Sequence, residues 1–488
     1  IIALGKIFQN SPQFFILNTV IKDGFINANV SLNFDENGKI KQDYKIEGSI
    51  KKAKLNILNQ FKLQNINFNF DIKHKIYSIK EIEMKLNDVK ITSPLIEIKE
   101  KKNSFFVNGQ FSNDKKKFDI DKLKPIFANL NNDIDIKKIE FSSKNNFSFN
   151  VSKNLKFDNL KIKSNVHLNQ LIFNEKNLKL NSYLPSFVGE IKLTEHKITI
   201  DYDKKKFDME GNGNFLLEEK SDNLSYKIKK NKKSFKFNSK INLKNNSLSI
   251  DFLDYKKKEG LNSTIILKGN LKKNNELKLD LIDFKEKNNQ ILVKGLNLSK
   301  NLKIINIEGF SVDYINNKKI LNSINLKKNN SGFIIEGDSF DASKIIDSIM
   351  DSDEKNLSIF RNLNSKINIR IKKTYIDETN YFNNLIGNID YKANKIIDVK
   401  LKSIFPNKKL ITLSIKNNNN SETITRLITT YPKPLIKRYD FIKGFEEGYL
   451  DFYSIKKGGV SNSVLIIDNF KVKEVPIFAK LLSLASLQ

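Results

Sequence analysis

Alternation of apolar and polar residues is the dominant pattern along the chain. In residues 65–72 every second residue is apolar, and residues 277–281 and 367–371 repeat this spacing. Successive side chains of a β-strand point to opposite faces of the sheet. The pattern therefore predicts strands with one apolar face and one polar face.

Turn-forming residues interrupt this alternation at regular intervals. Clusters of Lys, Asn, Asp and Gly recur every 13 to 15 residues between residues 231 and 329. Because Asn and Gly tolerate the left-handed conformations of tight turns, each cluster predicts a turn between strands of about ten residues. The clusters are centred on Asn231, Asn245, Gly260, Asn274, Asn288, Asn301, Asn316 and Asn329.

Strands of this length with short connections predict an antiparallel meander that buries one face and solvates the other. Such a sheet can close into a barrel, pair into a sandwich or curl into an open trough. The turn spacing predicts roughly 25 to 30 strands, which is more than barrels and sandwiches usually contain. At about 4.8 Å per strand, a sheet of that many strands is longer than roughly 100 Å. We therefore expect a mostly β fold, an elongated, highly curved antiparallel meander that forms a long hydrophobic groove, with a few short helices.

Four short segments are predicted to be helical. Residues 121–130 form the first, and residues 341–350 form the second, where Asp341 is placed to cap the first turn. The third, residues 421–431, is expected to end before two prolines. The fourth opens at Pro476, a favoured first helical position. Its apolar face carries Ile477, Phe478, Leu481, Leu482, Leu484 and Ala485.

The composition is that of a folded and strongly basic protein. The 488 residues are 39% hydrophobic and carry a net charge of +30. Lysine supplies nearly all of this charge, and Lys, Asn and Ile share A/T-rich codons, so base composition explains much of the excess. A solvated lysine face and an electrostatic role toward nucleic acid or an anionic membrane are the two interpretations. The four arginines are Arg361, Arg370, Arg426 and Arg438.

Candidate chemistry is sparse. Nucleic-acid modules show clustered arginine, a recognition helix or stacking aromatics, and none is seen, so we expect no nucleic-acid partner. The absence of cysteine excludes disulfides and thiolate chemistry. His74, His167 and His196 lie in strand-like or turn-like contexts without a nucleophile motif. We therefore expect no catalytic residue and no enzymatic activity.

Metal and phosphate motifs are incomplete. No H-E-x-x-H motif occurs, and the aspartates of residues 132–136 alternate as on the polar face of a strand. Residues 211–213 and 457–459 lack the rest of a phosphate-binding loop and predict hairpin turns instead. We expect no metal and no cofactor.

The C-terminal residues carry a more specific pattern. Residues 468–487 run from an Asp-Asn-Phe strand through a Val-Pro step into a leucine-rich helix, preceded by runs at 424–428 and 444–452. This segment resembles the C-terminal part of large AsmA-like proteins of the YhdP and TamB kind. Residues 337–342, followed by an apolar helix, are similar to a second segment of that family. Before residue 330 only the strand pattern is shared.

The resemblance implies a Gram-negative envelope protein that lies in the periplasm and is anchored to the inner membrane through a segment outside this chain, which would be an internal fragment. It divides the chain into a β-groove region, residues 1–340, and an AsmA-like C-terminal region, residues 341–488. Family members are thought to conduct phospholipids between the inner and outer membranes. The implied partners are phospholipids, both membranes and further envelope proteins.

The apolar strand faces and the family resemblance are compatible with two functions of different classes. The first is passive phospholipid transport for outer-membrane biogenesis, in which apolar strand faces line the groove and shield acyl chains. The second is a scaffold or chaperone for outer-membrane proteins. An ordinary sandwich core explains the same apolar positions without either function. The candidate lining residues are Ile66, Phe68, Phe70, Leu277, Leu279, Leu281, Ile367, Ile369 and Ile371, with Ile477, Phe478, Leu481 and Leu482 on the C-terminal helix.

Overall fold

Strands make up most of the structure. The computed structural model describes residues 21–39, 41, 43–57, 61–86, 89–118, 134–154, 156–175, 180–231, 234–272, 276–300, 304–350, 365–392, 395–418, 422–438, 445–457 and 460–472. These residues form 28 strands, two α-helices and two short 3-10 helices, at Leu180–Ser182 and Asp251–Leu253. The predicted mostly β fold with few short helices is confirmed.

The chain divides into two compact units. The first comprises the described residues up to Asn181 together with Ser186–Asn246, and the second comprises Ser182–Pro185 and the described residues from Ser247 onward. The boundary predicted after residue 340 falls inside the second unit, at the end of a strand.

The first unit is a meander of twelve described strands. Each pairs antiparallel with the next in sequence. The strands are β1 (Ile21–Ser31), β2 (Lys45–Ile57), β3 (Phe61–Lys73), β4 (Ile76–Leu86), β5 (Val89–Glu100), β6 (Ser104–Phe118), β7 (Ile134–Ser152), β8 (Phe157–Glu175), β9 (Glu190–Tyr202), β10 (Phe207–Leu217), β11 (Lys220–Asn231) and β12 (Ser234–Leu243).

The second unit contains the remaining described strands and both helices. Its strands are β13 (Leu248–Ile250), β14 (Tyr255–Lys257), β15 (Ser263–Lys272), β16 (Leu277–Glu286), β17 (Asn289–Leu298), β18 (Ile304–Asn306), β19 (Gly309–Ile315), β20 (Leu321–Asn329), β21 (Gly332–Asp341), β22 (Ser365–Tyr375), β23 (Tyr381–Lys392), β24 (Lys395–Ile404), β25 (Leu410–Asn417), β26 (Glu422–Thr429), β27 (Phe445–Lys457) and β28 (Val460–Val472). Helix α1 is Ser343–Met350 and helix α2 is Lys433–Arg438.

Pairing in the second unit departs from a pure antiparallel meander at three points. Strands β13 and β14 form a separate two-stranded sheet, and β17 pairs with both β18 and β19. Strands β21 and β22 are parallel, whereas the other described pairs are antiparallel. The predicted antiparallel meander is wrong at the β21–β22 pair, because the chain between these strands includes α1 and makes the crossover that parallel strands require.

The turn prediction matches the structure where it can be compared. Six of the eight predicted clusters are centred on described residues, and all six fall at the ends of strands or between them. Asn274 and Asn301 lie outside the described residues. The spacing of Asn and Gly therefore located the connections, but of these six residues only Gly260 adopts positive φ. Beside Asn288 and Asn316, Lys287 and Lys319 take the left-handed conformation.

Two helix predictions are tested by the described residues. Helix α1 matches the prediction for residues 341–350, and the Asp341 carboxylate accepts a hydrogen bond from the Ser343 N–H at 2.9 Å. The helix predicted at residues 421–431 is wrong, because β-branched residues there form β26 between β25 and β27. Helix α2 starts directly after Pro432. Residues 121–130 and the helix predicted from Pro476 lie outside the described residues.

Gly211 and Gly213 are not in a turn as predicted. Both lie inside β10, where a Cβ on Gly211 would be 2.6 Å from the Tyr226 ring and one on Gly213 would be 2.4 Å from the His196 ring. These glycines let two large rings of neighbouring strands approach the backbone.

Register shifts bend the first unit repeatedly. Seven of its nine strand pairs from β1 to β10 contain one. Lys52, Asn65, Glu81 and Glu195 adopt positive φ at or near such points. Bulges of this kind increase strand twist and bend a sheet.

Candidate functional site: the apolar sheet face

A continuous apolar row crosses the first unit. Residues directly opposite each other in successive strands follow one another from β2 to β10, and all nine are partly exposed. We call them the first apolar row. They are Gly48, Phe70, Ile79, Ile96, Gly109, Phe147, Ile162, Tyr202 and Phe207.

A longer row crosses the second unit. It joins thirteen strands from β15 to β28, omitting β18, and eleven of its members are half-buried. Of the other two, Ile369 is buried at 9% exposed, and Leu465 is 46% exposed. We call these residues the second apolar row. They are Leu267, Ile282, Val293, Phe310, Leu326, Ile335, Ile369, Gly387, Leu401, Leu413, Leu427, Phe452 and Leu465.

The predicted lining residues of β3 share one face of that strand. Phe70 belongs to the first apolar row, Phe68 lies opposite Ile50, and Ile66 lies opposite Ala53. Ile66 is only 4% exposed, whereas the two phenylalanines are half-buried. The structure thus brings these three residues together on the apolar face.

The predicted lining residues of β22 also lie among apolar partners. Ile369 belongs to the second apolar row. Ile367 lies opposite Phe333 and Ile389. Ile371 lies opposite Gly337 on one side and Leu385 on the other.

The predicted lining residues of β16 are divided by an irregularity. Leu277 has apolar neighbours in both adjacent strands, and Leu279 lies opposite Gly269 and Leu296. A register shift in the β15–β16 pair follows, and Leu281 lies opposite Lys268 and Lys294. The next residue, Ile282, is the one that joins the second apolar row.

Sequence patterns missed most members of the rows. Ile79 and Ile96 lie in strands without clean alternation, and Leu427 lies where a helix was predicted. Cross-strand register depends on turn length and bulges, which single-strand patterns do not encode. The C-terminal helix candidates Ile477, Phe478, Leu481 and Leu482 lie outside the described residues.

The opposite face is charged and hydrogen-bonded. In the first unit Lys163, Asp201, Asp208 and Lys229 are successive register partners. The Lys206 amine lies 2.8 Å from the Asp201 carboxylate and 3.3 Å from that of Asp208. Its hydrogen bond lowers the pKa of Asp201. Some of the excess lysines therefore form cross-strand ion pairs on a solvent-exposed surface.

A short helix partly covers the second apolar row. Ile436 of α2 is fully buried and forms a cluster with Phe445 and Leu450. Two members of the row, Leu427 and Phe452, pack against this cluster. The row is thus sheltered where it reaches β26 and β27.

An arginine joins the two helices of the second unit. The Arg438 guanidinium donates to the Ser343 carbonyl oxygen at 3.2 Å and pairs with the Asp347 carboxylate at 2.5 Å. Ser343 and Asp347 belong to α1, so this cation ties α1 to α2. Both helices stand near the same ends of the strands.

The described residues show neither a metal-binding cluster nor a membrane-spanning helix. No group of three or more His, Asp or Glu among them could hold a metal ion. No helix in the described ranges has the length and hydropathy to span a bilayer. Comparison with protein-family models, curated proteins and solved structures gives no match for this chain.

Proposed function

We propose that this chain is an AsmA-like envelope protein that carries phospholipids across the periplasm along its apolar sheet faces, without catalysis. The observation that carries the proposal is the partial exposure of the two apolar rows. Each row is continuous from strand to strand, yet almost all of its side chains keep contact with solvent.

Half-buried apolar rows suit a lipid surface better than a closed core. A core of packed side chains excludes water nearly completely. Burying apolar surface gains about 25 cal/mol per Å². Acyl chains laid along Phe70, Phe147 or Leu413 would gain this free energy by removing the remaining exposed surface from water.

The polar face supports the same assignment. Ion pairs such as Arg426–Asp451, at 2.7 Å, keep that face in water. A strand with one apolar and one charged face can hold acyl chains on one side while the other side remains hydrated. Localisation to the periplasm and anchoring to the inner membrane rest on the resemblance of residues 468–487.

Neighbouring residues of one strand provide a matched test. Phe147 belongs to the first apolar row, and Ser148 follows it on the opposite face, where its register partners are Asn108 and Lys161. Leu413 and Ser414 form an equivalent pair in the second unit, with Lys400 and Arg426 opposite Ser414. A photo-crosslinking amino acid is placed singly at each of the four positions in cells with labelled phospholipid.

Lipid adducts at Phe147 and Leu413, and none at Ser148 and Ser414, are the expected result. Equal labelling of both faces would contradict a defined lipid surface. Crosslinks at Phe147 and Leu413 to an outer-membrane protein, with no lipid, would contradict transport and favour the scaffold or chaperone role.

A further inference from the structure

A buried histidine stands on the apolar face of the first unit. His196 of β9 is fully buried, and its register partner in β8 is Leu168. The backbone of Gly213 lies against the imidazole, so closely that a Cβ there would be 2.4 Å from Cδ2. The Tyr226 ring is 5.7 Å away. The ring is therefore enclosed on several sides.

Only one nitrogen of this imidazole has a hydrogen-bond partner. Nε2 lies 2.9 Å from the Asn214 carbonyl oxygen, so Nε2–H donates. Nδ1 is buried without a partner. Protonating Nδ1 would place an unpaired N–H and a positive charge among apolar groups, which is costly. Burial lowers the pKa of His196, and the bond to Asn214 opposes this in part.

The surrounding charges do not compensate a cation at this place. No carboxylate of the described residues forms an ion pair with His196. The Asp222 carboxylate on β11 accepts hydrogen bonds from the backbone N–H groups of Lys244, Asn245 and Asn246. The flanking residues Glu195 and Lys197 are exposed, and Glu195 binds His167 of β8. The remaining titratable neighbour is Tyr226, whose pKa is raised by burial.

The β9–β10 pair is already irregular at this point. Its register shifts between Asn212 and Asn214, and Glu195 adopts a φ of 53°. An interrupted ladder opens more easily than a regular one. We propose that His196 makes the β9–β10 pair an acid-sensitive element, which opens locally when the imidazole is protonated and thereby hydrates this part of the apolar face.

The direction of the pH response follows from the linkage between proton binding at His196 and local opening of the β9–β10 pair. The closed state binds the His196 proton less readily than the open state, in which the imidazole has its ordinary pKa. Closure is therefore fully favoured above the ordinary pKa and loses free energy as the pH falls below it. The opening constant rises by up to about tenfold per pH unit in that range, until the lowered pKa of the closed state is reached.

Hydrogen exchange of the whole chain tests this proposal. Exchange is followed by mass spectrometry at about pH 7.5 and about pH 5, either side of an ordinary histidine pKa, with correction for the intrinsic rate. Peptides from β9 and β10 should lose about tenfold or more protection at the lower pH. Peptides from β16 and β17, which contain no histidine, serve as the internal control.

Two substitutions separate His196 from general acid effects. His196→Gln keeps a side-chain N–H donor but cannot titrate, so the acid response of β9 and β10 should disappear. His167→Gln removes a half-exposed histidine of the neighbouring strand, and the response should remain. An unchanged response in His196→Gln, or its loss in His167→Gln, would overturn the proposal.

Titration of the His196 ring in the wild-type chain tests the proposal without requiring that a variant folds. In NMR spectra of the wild-type chain, His196 should appear as the neutral Nε2–H form and should protonate below the ordinary pKa of a histidine. Protonation of His196 at the ordinary histidine pKa, with no change in β9–β10 exchange, would also overturn the proposal. These outcomes do not depend on lipid binding.

Discussion

Leu427 and Phe452 are direct register partners in the β26–β27 pair, and both pack against a cluster that contains the fully buried Ile436. Helix α2 therefore shelters one stretch of the second apolar row. Away from α2 the same row continues through Leu401 and Leu413, which are half-buried. The row is thus covered by a helix at β26 and β27, and it ends at the exposed Leu465 of β28.

Shortening Ile436 should destabilise the second unit. Ile436→Ala removes the side chain at the centre of the α2 cluster and should lower the free energy of unfolding by about 3 kcal/mol. Urea unfolding followed by circular dichroism measures the change. Ile386→Ala, at a position that is 50% exposed, is the control and should cost less than about 1 kcal/mol. Equal losses would show that α2 does not pack as described.

Asp222 should be essential for the end of the first unit. Its carboxylate accepts the N–H groups of Lys244, Asn245 and Asn246 at 2.8 to 2.9 Å and is 6% exposed. Asp222→Ala leaves these donors without their acceptor and should cost about 3 kcal/mol. Thermal unfolding is the measurement.

Asp203 supplies the control for that substitution. It also accepts backbone N–H groups, from Lys205 and Lys206, but in an exposed turn. Water can replace it there, so Asp203→Ala should cost less than about 1 kcal/mol. A larger effect at Asp203 than at Asp222 would contradict the buried role of Asp222.

The Arg426–Asp451 pair should be pH-dependent. The two-point hydrogen bond from Arg426, at 3.2 and 2.7 Å, lowers the pKa of Asp451 below the ordinary value of an aspartate. A lowered carboxylate pKa stabilises the fold above the ordinary pKa, and this contribution is lost as the pH falls through the lowered value. A double-mutant cycle with Arg426→Gln and Asp451→Asn should therefore show coupling at neutral pH that declines as the pH falls below the ordinary pKa of an aspartate. Coupling that does not weaken as the pH falls would contradict this assignment.

The sequence predicted the parts of the fold that depend on local chemistry. Asn and Gly spacing located the turns, and Asp341 marked the start of α1. The helix predicted at residues 421–431 failed because its β-branched residues are paired on both sides, a tertiary effect that no local pattern contains.

The candidate site was predictable only in part. Alternation placed Phe70 and Ile369 on the apolar face correctly, but the shift beside Gly269 puts Leu281 opposite lysines. Gly213 looked like a turn residue because its contact with His196 comes from another strand. Bulges and register arise between strands, so a single strand's pattern cannot specify them.

The lipid content of the purified chain tests the central claim most directly. The chain is expressed in bacteria and purified without detergent, and its bound lipid is measured by native mass spectrometry for the wild type, Phe147→Asp and Ser148→Asp. Phospholipid should accompany the wild type and Ser148→Asp, and Phe147→Asp should lose most of it, because a carboxylate on the apolar face repels acyl chains. A wild-type chain without phospholipid, or equal lipid in both variants, would contradict the account.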